Sequence, residues 1–176
     1  MSELPLIGFL DPAAFERAIP DLGALLVDAV ESGASVSFLR GLDQPRAEAW
    51  WRNRAQDVTA GTLVMVVARD SERIVGCAGL VAAKSENSHH RGEVVKVLVR
   101  RSCRRQGIAS ALLSAVEAEA LARGRWLLML DAVAGGGAEA LYRATGWQRL
   151  GVVPDFAVST DGELEPCMFM WKRLIP

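Results

Sequence analysis

The chain is poor in the residues that build covalent or metal-based scaffolds. Its 176 residues hold three cysteines, Cys77, Cys103 and Cys167, without C-x-x-C spacing, and two histidines, the adjacent His89 and His90. So odd and scattered a set argues against a disulfide framework and against a structural zinc site, and no metal is expected. Neither sign of charge dominates: the formal net charge is −1, which disfavours a nucleic-acid protein or a polybasic membrane binder. The longest strongly apolar run, Leu63 to Ala68, is far too short to span a bilayer, and the N-terminus lacks a basic stretch followed by an apolar one. A cytoplasmic location is the expectation. The Gly-x-x-x-x-Gly-Lys loop, the Gly-x-Gly-x-x-Gly fingerprint and the Gly-x-Ser-x-Gly elbow are also missing, which removes the common nucleotide-binding and hydrolase motifs.

What is present reads as one domain over residues 1–176. With 51% hydrophobic and 23% charged residues, a chain of this length buries a sizeable core without staples. Apolar spacing from Asp11 to Ser32 predicts a helix interrupted near Pro20, with Gly33 as its stop. A second helix is expected from Pro45 to Val58, its Trp50 and Trp51 packing on the core or lining a substrate opening. Thr62 to Arg69 and Arg73 to Ala83 read as consecutive strands around an Asp70-Ser71-Glu72 turn, and Lys84 to Arg91 as a polar loop. Arg125 to Asp131 reads as a buried strand, Ala138 to Thr145 as a short helix, and Trp147 to Phe156 and Glu163 to Leu174 as closing strands around Asp161-Gly162.

The segment from Val94 to Glu117 is the most informative. Val94 to Val99 is a β-branched run, Arg104 to Ala109 a turn, and Ala109, Leu112, Leu113, Val116 and Ala120 one apolar helical stripe. A helix that starts within a turn offers unpaired N–H groups and the positive end of its dipole to an anion. Gly107 and Ala109 let the backbone approach a diphosphate, and Arg100, Arg101, Arg104 and Arg105 supply charge. Cys103 sits among these arginines without a histidine near it in sequence and reads as a spectator thiol. A strand, a crossover helix and the strand from Arg125 imply parallel pairing, with the anion site at the carboxyl end of the first strand.

Val99, Arg104, Gly107 and Ala109, followed downstream by Leu141-Tyr142-Arg143-Ala144-Thr145-Gly146-Trp147, resemble the two signature elements of the GCN5-related N-acetyltransferase (GNAT) superfamily. The resemblance implies an α/β fold: a mixed, mostly antiparallel twisted sheet of six to seven strands, a parallel splayed β4/β5 pair and about four flanking helices. It also implies acetyl-CoA as co-substrate, its pyrophosphate held by Arg104, Arg105, Gln106, Gly107, Ile108, Ala109 and Ser110. Its pantetheine arm would lie along Val97, Leu98 and Val99. Arg101 stands where a proline is common, and Gly135 where an asparagine often contacts the cofactor. A resemblance over nearly the whole chain, carried by Gly33 to Val36, His90 to Val94, Leu130-Asp131, Ala138 to Ala140, Gly151 to Phe156 and Asp161-Gly162, is to the tabtoxin-resistance acetyltransferases. Those enzymes acetylate the amine of a small toxin.

Amine acetylation needs a free amine, a polarised thioester and a stabilised departing thiolate. By position within the resemblance, Glu93 is the first candidate for the base and Asp131 the second, with an ion pair of Glu93 to Arg91 or Lys96, or an ammonium anchor at Asp131, as the plainer roles. Tyr142, the only tyrosine, lies in the element whose hydroxyl faces the CoA sulfur, either transferring a proton or only hydrogen-bonding; a plain core ring is its other reading. A backbone N–H near Leu98 or Val99 would polarise the thioester carbonyl. His89 and His90 read as surface loop residues. The expected reaction is acetyl transfer to a primary amine of a small amino-acid-like, toxin or antibiotic molecule. The alternatives are a protein or peptide amine, and a CoA-binding module without catalysis. A homodimer through the first helix and the C-terminal strands is possible on sequence grounds, although core burial explains the same residues.

Overall fold

In the computed structural model, which describes residues 5–71 and 73–175, the run beginning at Leu63 is a strand buried on both faces. Its Leu63, Met65 and Val67 enter one core while Val64, Val66 and Ala68 enter another. A strand between two packed layers needs apolar residues at every position, and each large side chain so buried contributes roughly 1.5–3 kcal/mol. The strands β1 (Leu6–Leu10), β2 (Leu63–Asp70), β3 (Arg73–Ala82), β4 (Arg91–Val99), β5 (Leu127–Val133), β6 (Gln148–Val158) and β7 (Leu164–Arg173) form one sheet in the order β1-β2-β3-β4-β5-β7-β6. Every pairing is antiparallel except β4 with β5. Glu72, in the expected turn after β2, lies outside the described residues.

The helices α1 (Pro12–Glu31), α2 (Gln44–Arg52) and α3 (Ala55–Thr59) cover one face, and α4 (Ile108–Ala122) and α5 (Gly137–Ala144) the other. Asp11 caps α1 by accepting from the Ala14 amide at 2.7 Å, and Asp43 caps α2 from Arg46 at 2.9 Å. Trp51 anchors the first core, edge-on to Phe15, with its indole N–H donating to the Leu22 carbonyl at 3.0 Å.

Several sequence expectations change. α1 runs through Pro20 without interruption; Pro20 and Glu16, four residues before it, are both exposed, so the backbone bond that proline cannot make is lost on the solvent side of the helix. The second helix divides at Asn53-Arg54 into α2 and the single-turn α3. β4 begins at Arg91, three residues before its β-branched run, so Glu93 lies inside the strand. The apolar stripe of α1 is buried in the core, whereas Leu150, Val152, Val153, Phe156 and Val158 of the edge strand β6 are exposed. Among the described residues no helix is long and apolar enough to cross a membrane.

Candidate active site

The parallel pair β4/β5 is short. Arg91, Gly92 and Glu93 stand opposite Leu127, Leu128 and Met129, and beyond Glu93 no pairing continues. On its other side β4 pairs with β3, but the register slips between the Val95–Gly79 and Leu98–Cys77 pairs, so Lys96 and Val97 together oppose one residue. That is a β-bulge, and Lys96 holds left-handed backbone there with φ 51°. After the bulge the Arg100 amide donates to the Val75 carbonyl at 2.8 Å. Alternation back from Arg100 turns the backbone groups of Leu98 towards β3 and those of Val99 towards the opening between β4 and β5. The bulge is not readable from the sequence, and beyond it the Val99 amide, one of the two expected near this point, faces the opening.

On the α4 side of the sheet, β4 leads into the arginine-rich turn. Arg105 and Gly107 both have positive φ, 66° and 81°, which coils the chain so that α4 starts abruptly at Ile108 without any side-chain cap. Its first amides, at Ile108, Ala109 and Ser110, are left without an intrahelical partner. The turn is pinned to α1: the Arg101 amide donates to Asp28 at 2.8 Å, and the Arg104 guanidinium donates to Ser32 Oγ at 2.6 Å and to the Val99 carbonyl at 3.1 Å. Arg100 corrects the expectation of four exposed charges. It is buried, and its Nε donates inward to the Ile74 carbonyl at 3.0 Å. The Ile108 side chain is core, so only its backbone faces the turn, while Arg105 and Gln106 are exposed.

Tyr142 lies on this same side, with its ring packed edge-on to Trp147 at 6.0 Å. Its hydroxyl has no hydrogen-bond partner among the described residues. Burial, and then the negative field of Asp131, push its pKa up to about 12. The phenol is therefore neutral in any physiological solution.

Glu93 and Asp131 lie on the α1/α2 side, where they line one cavity of about 260 Å³ with Val81, Arg91, Met129 and Phe169. Asp131 also borders a second cavity of about 320 Å³, walled by Ser35, Ser37, Phe38, Phe156 and Glu165. The Cys167 thiol, raised to about 11 first by burial and then by Asp131, donates to Asp131 Oδ2 at 3.4 Å. Glu93 is open to solvent on its outer side, yet partial desolvation, reinforced by Asp131, raises its pKa against the opposing pull of Arg91 and Lys96. No cation lies within ion-pair distance of Glu93 among the described residues, so the expected bridge to Arg91 or Lys96 is absent. His89 is an exposed loop residue, and His90 stacks on Trp126 at 4.6 Å, away from these cavities.

Residues 26–147 match the acetyltransferase (GNAT) family. The chain belongs to that family. It is an acetyl-CoA-dependent N-acetyltransferase with the family's seven-stranded fold. A ribosomal-protein-alanine N-acetyltransferase from Brucella melitensis is 28% identical, with a TM-score of 0.78 over 96% of this chain and 99% of that one. An N-acetyltransferase from Staphylococcus aureus Mu50 superposes with a TM-score of 0.79 at 18% identity, covering 99% of this chain and 100% of its own. A phosphinothricin acetyltransferase from Sinorhizobium meliloti, solved in complex with acetyl-CoA, gives 0.78 at 21% identity over 97% of this chain and 88% of its own.

In this GNAT chain the residues singled out in sequence fall into two groups on opposite faces of the sheet, joined by the opening between β4 and β5. Val97, Val99, the turn from Arg104 to Ser110 and Tyr142 form one group, and Glu93 and Asp131 the other. Sequence reasoning missed Ser37, Phe38, Glu165 and Cys167 at the second cavity; the first two come from the connection after α1 and the others from β7, without a motif. Lys96 had a visible signal: it is the one charged residue within the apolar run from Val94 to Val99.

Proposed function

We propose that residues 1–176 work as one acetyltransferase domain that acetylates the primary amine of a small molecule by direct attack on the thioester, with Glu93 as base. The observation that carries this reading is the placement of Glu93 and Asp131 at one cavity on the α1/α2 face while the uncapped α4 terminus and Tyr142 occupy the other face. The donor's pyrophosphate would rest on the Ile108, Ala109 and Ser110 amides with Arg104, Arg105, Gln106 and Gly107 around it. The pantetheine arm would follow Val97 to Val99. The uncapped amides and the left-handed Gly107 fit that group. Acetyl-CoA, when bound, supplies the thioester at the opening.

Glu93 then takes a proton from the acceptor ammonium, and its raised pKa brings it nearer to that of the amine than an ordinary carboxylate. Asp131, held by the Cys167 thiol, orients the ammonium and is the second candidate for the base. The Val99 amide donates to the oxyanion. Tyr142 donates a hydrogen bond to the departing thiolate. With the phenol at about 12 and a thiol near ~8.5, complete proton transfer is uphill by roughly 5 kcal/mol, so the hydrogen bond is the better-supported role.

Cavities of this size and the resemblance to tabtoxin-resistance enzymes support a small acceptor. A second reading, a protein N-terminus as acceptor, is favoured by the likeness to the ribosomal-protein-alanine N-acetyltransferase from Brucella melitensis. Thiol release from acetyl-CoA across amino acids, aminoglycosides, polyamines, β-lactam dipeptides and peptides separates the two. Turnover confined to peptides would refute the small-molecule reading.

A further inference from the structure

Lys96 is the anomaly of β4. It occupies the bulge in left-handed backbone, φ 51°, a conformation that a long side chain adopts only where its surroundings hold it. Its ammonium donates to Ser37 Oγ at 3.2 Å and lies 5.1 Å from the centre of the Trp50 ring. Ser37 is itself left-handed, with φ 76°, and lines the cavity that borders Asp131. The Arg54 guanidinium packs over the same Trp50 ring at 4.2 Å. Two cations from separate segments thus share one indole, and Ser37 joins the first of them to the cavity that Asp131 borders.

Neither cation has a carboxylate within ion-pair distance among the described residues, and the Arg54 side chain makes no hydrogen bond there. Desolvation lowers the Lys96 pKa first, Asp131 opposes it, and Arg54 lowers it further. The cluster is consequently a set of donors with no carboxylate partner among the described residues. The guanidinium fork, the remaining ammonium protons and the Ser37 hydroxyl proton are the donors it offers to an anion. Glu93 and Asp131 on the same face likewise have no cation at ion-pair distance among the described residues. Ser37, which holds Lys96, and Asp131 border the same cavity, so the two signs of charge meet one opening from different sides and match a zwitterion.

We propose that Lys96, Arg54 and Ser37 hold an anionic group of the acceptor, a carboxylate, so that the acceptor is an amino acid or a close analogue whose amine meets Glu93 and Asp131. This inference rests on the acetyltransferase reading above and narrows its substrate class. Trp50 supports the clamp by fixing both cations through its ring face. A carboxylate bound there would pair with two cations that no carboxylate among the described residues reaches at ion-pair distance.

The test compares each L-amino acid with its primary amide as acceptor for the full-length protein with acetyl-CoA, reading kcat/KM by thiol release. The amide's amine gives up its proton more readily than the zwitterion's, so chemistry alone favours the amide. The clamp predicts the reverse: the best amino acid exceeds its amide by about tenfold to a hundredfold, the usual worth of charge-assisted hydrogen bonds. In Lys96→Met that ratio collapses towards one through KM, and in Lys96→Arg most of it survives. Should Lys96→Met fail to fold, Arg54→Gln and Ser37→Ala are expected to reduce the same ratio. Amides equal to or better than acids in the unmodified protein overturn the clamp, as does a loss in Lys96→Met shared equally by acids and amides. Turnover with amines that lack any carboxylate, and none with amino acids, overturns the clamp while leaving the acetyltransferase reading intact. Silence across all amines overturns both.

Discussion

The Lys172 ammonium lies 2.7 Å from Glu117 Oε2 and also donates to the Thr145 carbonyl at 2.6 Å. One side chain of β7 therefore ties α4, which begins at the arginine-rich turn, to the C-terminal end of α5, which carries Tyr142. A cation at a helix C-terminus satisfies a carbonyl that the helix leaves unpaired. Both side chains are about four-fifths buried, at 20% and 17% exposure, and Glu117 Oε1 is buried without a partner among the described residues. Lys172→Met should therefore cost about 2–4 kcal/mol, since it strands a desolvated carboxylate. Chemical denaturation measures it, and Glu117→Gln placed in the same chain should restore part of the loss.

Tyr142→Phe removes one hydroxyl that bonds nothing in the described protein. Its thermal midpoint should stay within a few degrees, while kcat falls about tenfold to a hundredfold. Steady-state kinetics beside a thermal melt checks both halves, and unchanged turnover would take the phenol out of the reaction.

Glu93→Gln should lose most of the activity and yet gain stability at neutral pH. The sign follows from the raised pKa. A carboxyl group that is harder to ionise folded than unfolded favours the fold below its unfolded pKa and loses that advantage as pH rises through the folded value. Gln carries no such loss. The variant's melting advantage should appear above the folded-state pKa and vanish in acid below the unfolded one. In the unmodified enzyme the rising limb of kcat/KM should sit above the ordinary glutamate range.

Gly107→Ala tests the turn. With φ at 81°, a Cβ at this position costs about 1–2 kcal/mol, and the tilted turn no longer presents the Ile108 to Ser110 amides together. KM for acetyl-CoA should rise several-fold with less change in KM for the amine. Equal effects on both would contradict the assignment of this turn to the donor.

Much of this arrangement was legible in sequence. Val94 to Val99 and the stripe from Ala109 to Ala120 carry the periods of a strand and a helix, and Gly107 marks the left-handed turn between them. What stayed hidden depends on contacts distant in sequence. Leu6–Leu10 became a strand only by pairing with β2, and a five-residue segment has too little pattern to announce that. Pro20 signalled a break that solvent exposure removed. Arg100 looked like part of the basic turn, but the backbone after β4 points it into the core. The bulge at Lys96 needed the register of β3, and Ser37, Arg54 and Cys167 entered the site from segments whose local sequence has no reason to name them.

The central claim is that amine and thioester meet through the opening between β4 and β5, with Glu93 taking the proton. The most direct measurement is the stoichiometry of free CoA thiol and N-acetylated product, the product identified by mass spectrometry, for the best amine with the unmodified enzyme and with Glu93→Gln. The account predicts one thiol per acetylated amine, and a rate at least about a hundredfold lower in the variant, the scale of a general base. Thiol released without N-acetyl product, or a Glu93→Gln enzyme as fast as its parent, would contradict it.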